Sequence, residues 1–120
     1  MKLNGFDKTK SGEVEKLLSP AMKDIESRFN RKISLPNIET MTPEEIADGL
    51  FDGGGSSILE CHGEFTPDDC MLKVNPELSS EEIVENIVHQ SIHYADHHLD
   101  DDVVDDITKD VMNKVKKNAD

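Results

Sequence analysis

The sequence predicts an α+β domain, a small antiparallel sheet built on a hairpin and packed against helices. Three features carry this. Apolar residues recur at helical spacing in two long segments, 13–29 and 80–99, and again after residue 102. A stretch with alternating polarity lies between them and reads as a hairpin. Two capping boxes, Thr42-Pro43-Glu44-Glu45 and Ser79-Ser80-Glu81-Glu82, mark where helices begin. At 120 residues and 35% hydrophobic content the chain is one domain with a modest core.

Residues 1–10 are polar and expected to be loose, leaving 11–120 as the folded unit. Val14, Leu17, Leu18, Ala21, Met22, Ile25 and Phe29 make the core stripe of the first helix. Pro20 interrupts it, either as a kink or as the first turn of a second helix capped by Ser19. Ile33-Ser34-Leu35 alternates and is expected to be a strand ending at Pro36. The first capping box opens a short helix to about Phe51, with Pro43 at its first position, and residues 52–57 form a Gly/Ser loop. Ile58–Phe65 and Cys70–Val74 then flank the turn sequence Thr66-Pro67-Asp68-Asp69. With Phe65 opposite Cys70, Cys61 faces Val74. The two cysteines are then roughly 13 Å apart along the strands, beyond disulfide reach, and both are expected to be buried free thiols. The second capping box opens the longest helix, with Ile83, Val84, Ile87, Val88, Ile92, Ala95 and Leu99 inward. An Asp-rich break follows, and a last helix buries Val103, Val104, Ile107, Val111 and Val115. Lys114, Lys116 and Lys117 suit the negative end of its dipole.

Twenty-six acidic against 13 basic residues give a formal charge of −13, which excludes a phosphate-backbone reader. Aromatic content of 4%, with no tryptophan, excludes a base-stacking platform. No apolar run is long enough to span a bilayer, and the first residues do not resemble a secretory signal. With only two cysteines the expected setting is cytoplasmic. No phosphate loop or nucleophile elbow is present.

Chemistry concentrates in Val88–His98, which holds four of the five histidines. His89 and His93 stand at i and i+4 on a helix, so their rings share a face and can share one metal ion. They lie beside the apolar stripe, half-sheltered, as an open zinc site requires. Without a metal, such a pair is an ordinary feature of a helix surface.

The segment His89-Gln90-Ser91-Ile92-His93 resembles the H-E-x-x-H signature of zincin metallopeptidases. Upstream, Leu72-x-Val74-Asn75-Pro76-x-Leu78-Ser79-x-Glu81-Glu82 is similar to the phrase that leads a hairpin into the metal helix of ImmA/IrrE-type zincins. The resemblance covers about residues 58–98. It implies a zincin-like fold with a long metal-binding helix, one Zn²⁺ per chain on His89 and His93, and His97 as third ligand by the H-E-x-x-H-x-x-x-H extension. Asp96, Asp100, Asp106 and Asp110 compete for the third position, because on a straight helix His97 lies about 12 Å along the axis from His89. The reaction it implies is metal-assisted peptide hydrolysis. The catalytic position, however, holds Gln90 where the family has the glutamate that takes a proton from water. An amide accepts no such proton, so the chain is expected to bind metal without hydrolysing peptides, as an inactivated enzyme or a pseudoenzyme. The alternative class is a non-enzymatic acidic binding protein, an inhibitor of the phage or mobile-element kind acting on a basic protein partner. Its expected partners are proteins or peptides, with no nucleic acid and no membrane. The Asp cluster at 100–106 reads most simply as a solvated helix start; it lacks the spacing of a calcium loop.

Overall fold

A computed structural model describes residues 3–33, 35, 37–45, 47, 57–61, 70–96 and 98–119. The chain is an α+β protein with elements β1 (Leu3–Asn4), α1 (Lys8–Phe29), β2 (Asn37–Thr40), β3 (Ser57–Cys61), β4 (Cys70–Val74), α2 (Ser80–Ala95) and α3 (Asp101–Ala119). The stretch expected to be loose is structured from Leu3: it supplies β1, and Asp7 caps α1 by accepting from the Lys10 amide at 2.7 Å. Gly5 links the two. Its φ of +89° and a Cβ position only 2.2 Å from Thr40 Oγ1 leave room for no other residue.

Helix α1 runs unbroken through Pro20 and ends at Asn30, which takes the left-handed conformation. Val14, Leu18, Ala21 and Ile25 are buried along one face, whereas Pro20 is on the exposed side, where a missing N–H is least disruptive. Ser19 therefore caps no second helix.

The sheet corrects three expectations. It is a four-stranded mixed sheet in the order β1-β2-β4-β3, with β1–β2 and β2–β4 parallel and only β3–β4 antiparallel. The second strand is Asn37–Thr40, not Ile33–Leu35. It is paired on both sides, and a strand paired on both sides needs every backbone N–H, so it begins after Pro36. The hairpin register also differs. Cys61 pairs with Cys70 and Ser57 with Val74, a shift of four residues from the expected alignment. Cys70 is disulfide-bonded, and the other cysteine of the chain stands opposite it in the ladder. The expectation of two free thiols fails because it rested on the wrong register; directly opposed strand residues lie within disulfide reach. The expected turn, Thr66–Asp69, lies outside the described residues.

Ile38, Leu72 and Val74 point from the sheet into the helices and are at most 2% exposed. They meet the α1 stripe, Ile83, Val84, Ile87, Val88 and Ile92 of α2, and Val104, Val111, Met112 and Val115 of α3. Val103, expected inward, is exposed. On the sheet's outer side Lys73 pairs with Glu45 at 2.7 Å. The first capping box forms as expected, with reciprocal Thr42–Glu45 bonds of 3.0 and 3.2 Å. Hydrogen bonding from Lys73, then from the Thr42 amide, holds the Glu45 carboxyl below its usual range.

Candidate metal centre

The site rests on the sharp passage from β4 into α2. After Val74, the Asn75 side chain accepts from the Glu77 amide at 2.9 Å and its carbonyl from the Leu78 amide at 3.2 Å. Ser79 then caps α2 by accepting from the Glu82 amide at 3.2 Å, and its hydroxyl contacts the Glu82 carboxylate at 3.1 Å. Ile83, Ile87, Val88, Ile92 and Ala95 anchor α2 in the core. That fixes the helix rotation and leaves His89 and His93 half-buried at its edge.

The helix ends at Ala95. Asp96 takes extended φ and ψ values, and its carboxylate accepts from the His98 amide at 3.0 Å, so an Asx turn breaks the helix where no glycine does. The Asp100 carbonyl accepts from the Val104 amide as α3 starts. The short turn lays the first coils of α3 against the last coils of α2.

Three ligand atoms converge there. His93 Nε2 lies 3.2 Å from His89 Nε2 and 2.9 Å from Asp101 Oδ1, and His89 Nε2 lies 3.8 Å from the same oxygen. In a tetrahedral site with bonds of about 2.0–2.1 Å, ligand atoms stand about 3.3 Å apart. The observed separations bracket that value, so two imidazoles and one carboxylate fit three corners of such a shell. A fourth residue orients the first. His89 Nδ1 is 3.0 Å from Asp105 Oδ1. With the Nδ1 proton donated to that carboxylate, His89 Nε2 keeps its lone pair for a metal. The Asp101 side chain is 80% exposed, so the site opens to solvent.

His89 and His93 are thus brought together as the spacing predicts. The expected third ligand, His97, lies outside the described residues; among the described residues the carboxylate that meets the pair is Asp101. Among the described residues Asp96, Asp100, Asp106 and Asp110 are not in the group that converges on the pair; the Asp96 carboxylate accepts from the His98 amide and Asp110 is engaged by Arg28. That contact, first through its hydrogen bond, holds the Asp110 carboxyl below its usual range. Gln90 is half-buried and follows His89 on α2. Sequence reasoning missed Asp101 and Asp105. Their signal was present: a carboxylate pair at i and i+4 just after a histidine pair at i and i+4, separated by a helix break.

No protein-family model matches the sequence, and no curated protein or solved structure is significantly similar to it. Among the described residues, no helix is long and apolar enough to cross a membrane.

Proposed function

We propose that His89, His93 and Asp101 hold one divalent metal ion, zinc by donor chemistry, in a zincin-like domain that binds polypeptide and does not cleave it. The observation that carries this reading is the convergence of two Nε2 atoms and one Oδ1 atom at tetrahedral separations. The order of parts supports it as well. A hairpin strand, the Asn75–Leu78 turn, the Ser79 cap and the histidine helix follow one another as the zincin resemblance implies.

A zinc ion so held supplies Lewis acidity toward a carbonyl oxygen and lowers the pKa of water. The chain's own residues set the rest. Asp105 holds the His89 ring, and the α2 core stripe holds its backbone. Gln90 stands where the family's proton acceptor stands, and its amide donates and accepts hydrogen bonds without taking a proton. Binding is therefore retained and general-base chemistry is not.

The test is metal analysis of purified protein beside His89→Ala and His93→Ala variants. We expect about one zinc per chain in the parent, at the tight affinity of three-ligand sites, and none in either variant. Equal zinc in all three proteins would remove the site. A zinc-free parent would favour the second reading, a non-enzymatic acidic binding protein, which the 80% exposure of the Asp101 side chain and the charge of −13 support.

The cellular setting turns on the disulfide. A cytoplasmic location is the proposal from cysteine count, yet cytosolic thiols are normally kept reduced. Thiol titration of the protein taken from its native cell decides: two free thiols mark the cytosol, and none marks an oxidising compartment.

A further inference from the structure

The acidic charge of this chain is not spread evenly. Between residues 74 and 108 there are ten carboxylates and no lysine or arginine, whereas the other 85 residues carry 16 acids to 13 bases. A merely solubilising acidic coat would keep a similar ratio throughout. Glu77 lies in the turn before α2, and the other nine lie on α2, the turn after it and the start of α3. That is the region that carries His89, His93 and Asp101.

The helix geometry organises it further. Glu82, Glu85, His89 and His93 stand at i, i+3, i+7 and i+11, which at ~100° per residue confines them to a strip about 80° wide. Glu82 and Glu85 are exposed, and the strip runs about 16 Å along α2 into the metal centre. At that end Asp102 and Asp106, also exposed, join Asp101 and Asp105. Lys116 reaches this part of the molecule, at 3.2 Å from Glu81, a residue off the strip.

We propose that this α2–α3 face binds an extended cationic polypeptide, with lysine or arginine side chains along Glu82 and Glu85 and its backbone presented to the metal centre. The inference rests on the metal-site reading for its second half and on charge complementarity for its first. About five extended residues span the strip, and positive charges at that spacing meet carboxylates at both ends. Nucleic acid and anionic lipid surfaces are repelled by the same face.

The experiment uses the zinc-loaded full chain and fluorescent hexapeptides alternating glycine with arginine or with glutamate, read by anisotropy. We expect the arginine peptide to bind, with Kd rising about tenfold between about 50 and 300 mM salt, and the glutamate peptide not to bind. Glu82→Gln with Glu85→Gln should weaken binding about fivefold or more while zinc content stays at about one per chain. Glu15→Gln with Glu44→Gln removes the same charge from exposed sites elsewhere and should change Kd less than about twofold. Equal losses in the two double variants, or no binding of the arginine peptide, would overturn the proposal. Zinc measured on the same samples separates the two readings. Strip-dependent peptide binding without zinc removes the metal and keeps the docking face; zinc without peptide binding does the reverse.

Discussion

At the scale of single residues the site depends on which atom of each ring is free. Spacing alone made His89 and His93 legible as a pair, because the helical period is a local property. The carboxylate that meets them, Asp101, was not legible. It depends on where α2 stops, and that is set by the Asp96 carboxylate bonding to the His98 amide, a choice that competes closely with one more helical turn. Once the helix stops at Ala95, Asp101 falls opposite His93 and Asp105 opposite His89. Asp105→Asn should therefore leave the fold unchanged and weaken zinc binding about 10–100-fold, since an amide holds the imidazole less firmly in the required tautomer. Competition with a chromophoric chelator measures it; unchanged affinity would mean that Asp105 does not orient His89. Gln90→Glu is the complementary change. It keeps the size and adds a proton acceptor, worth typically about 10²–10⁴-fold in rate where a general base takes part. Cleavage of a denatured-protein panel, with a chelator control, is the readout. A zinc-bound Gln90→Glu variant that cleaves nothing would leave the domain a binding scaffold with no latent peptidase in it.

At the scale of elements the helices were legible and the sheet was not. The caps Thr42 and Ser79 and the buried stripes of α1 and α2 follow from short-range rules, and they form as those rules predict. Parallel pairing of β2 with β4 joins residues more than thirty positions apart, and nothing in the local pattern of Asn37–Thr40 encodes it. The hairpin register failed for a related reason. Alternation fixes which side chains share a face, but a slip by an even number of residues preserves the face and moves every partner. Leu72 stays inward in either register, while the distance between cysteines changes from out of reach to bonded. The bridge matters because, among the described residues, β3 is an edge strand with β4 as its one ladder partner. Closing a loop of this size restricts the unfolded chain by about 2–3 kcal/mol. Cys70→Ser should lower stability by about that amount in urea unfolding, with reductant having no further effect on the variant. A loss well under about 1 kcal/mol would indicate a strained bridge or an unfolded state already compact there.

For the molecule as a whole, zinc and salt should act on stability in separable ways. Five aspartates between residues 100 and 106 crowd the start of α3. The helix dipole offsets part of their repulsion, and mobile ions screen the remainder. Salt should therefore raise the melting temperature of the metal-free protein gradually, without saturating at a fixed stoichiometry. On the proposed reading zinc would act differently, because it would join α2 to α3 through His89, His93 and Asp101, groups that are not gathered in the unfolded chain. At 100 times Kd it would add about 2.7 kcal/mol. In a domain of this length that corresponds to a rise of roughly 10 °C. The increment should saturate at one ion per chain and vanish with chelator. His93→Ala should lose the zinc increment and keep the salt increment, because it removes a ligand and no carboxylate. Calorimetric scans of the two proteins, each with and without zinc at low and high salt, contain the whole test. If zinc raises the melting temperature of His93→Ala as much as that of the parent, the cation is only screening the aspartates, and the three converging atoms are not a metal centre.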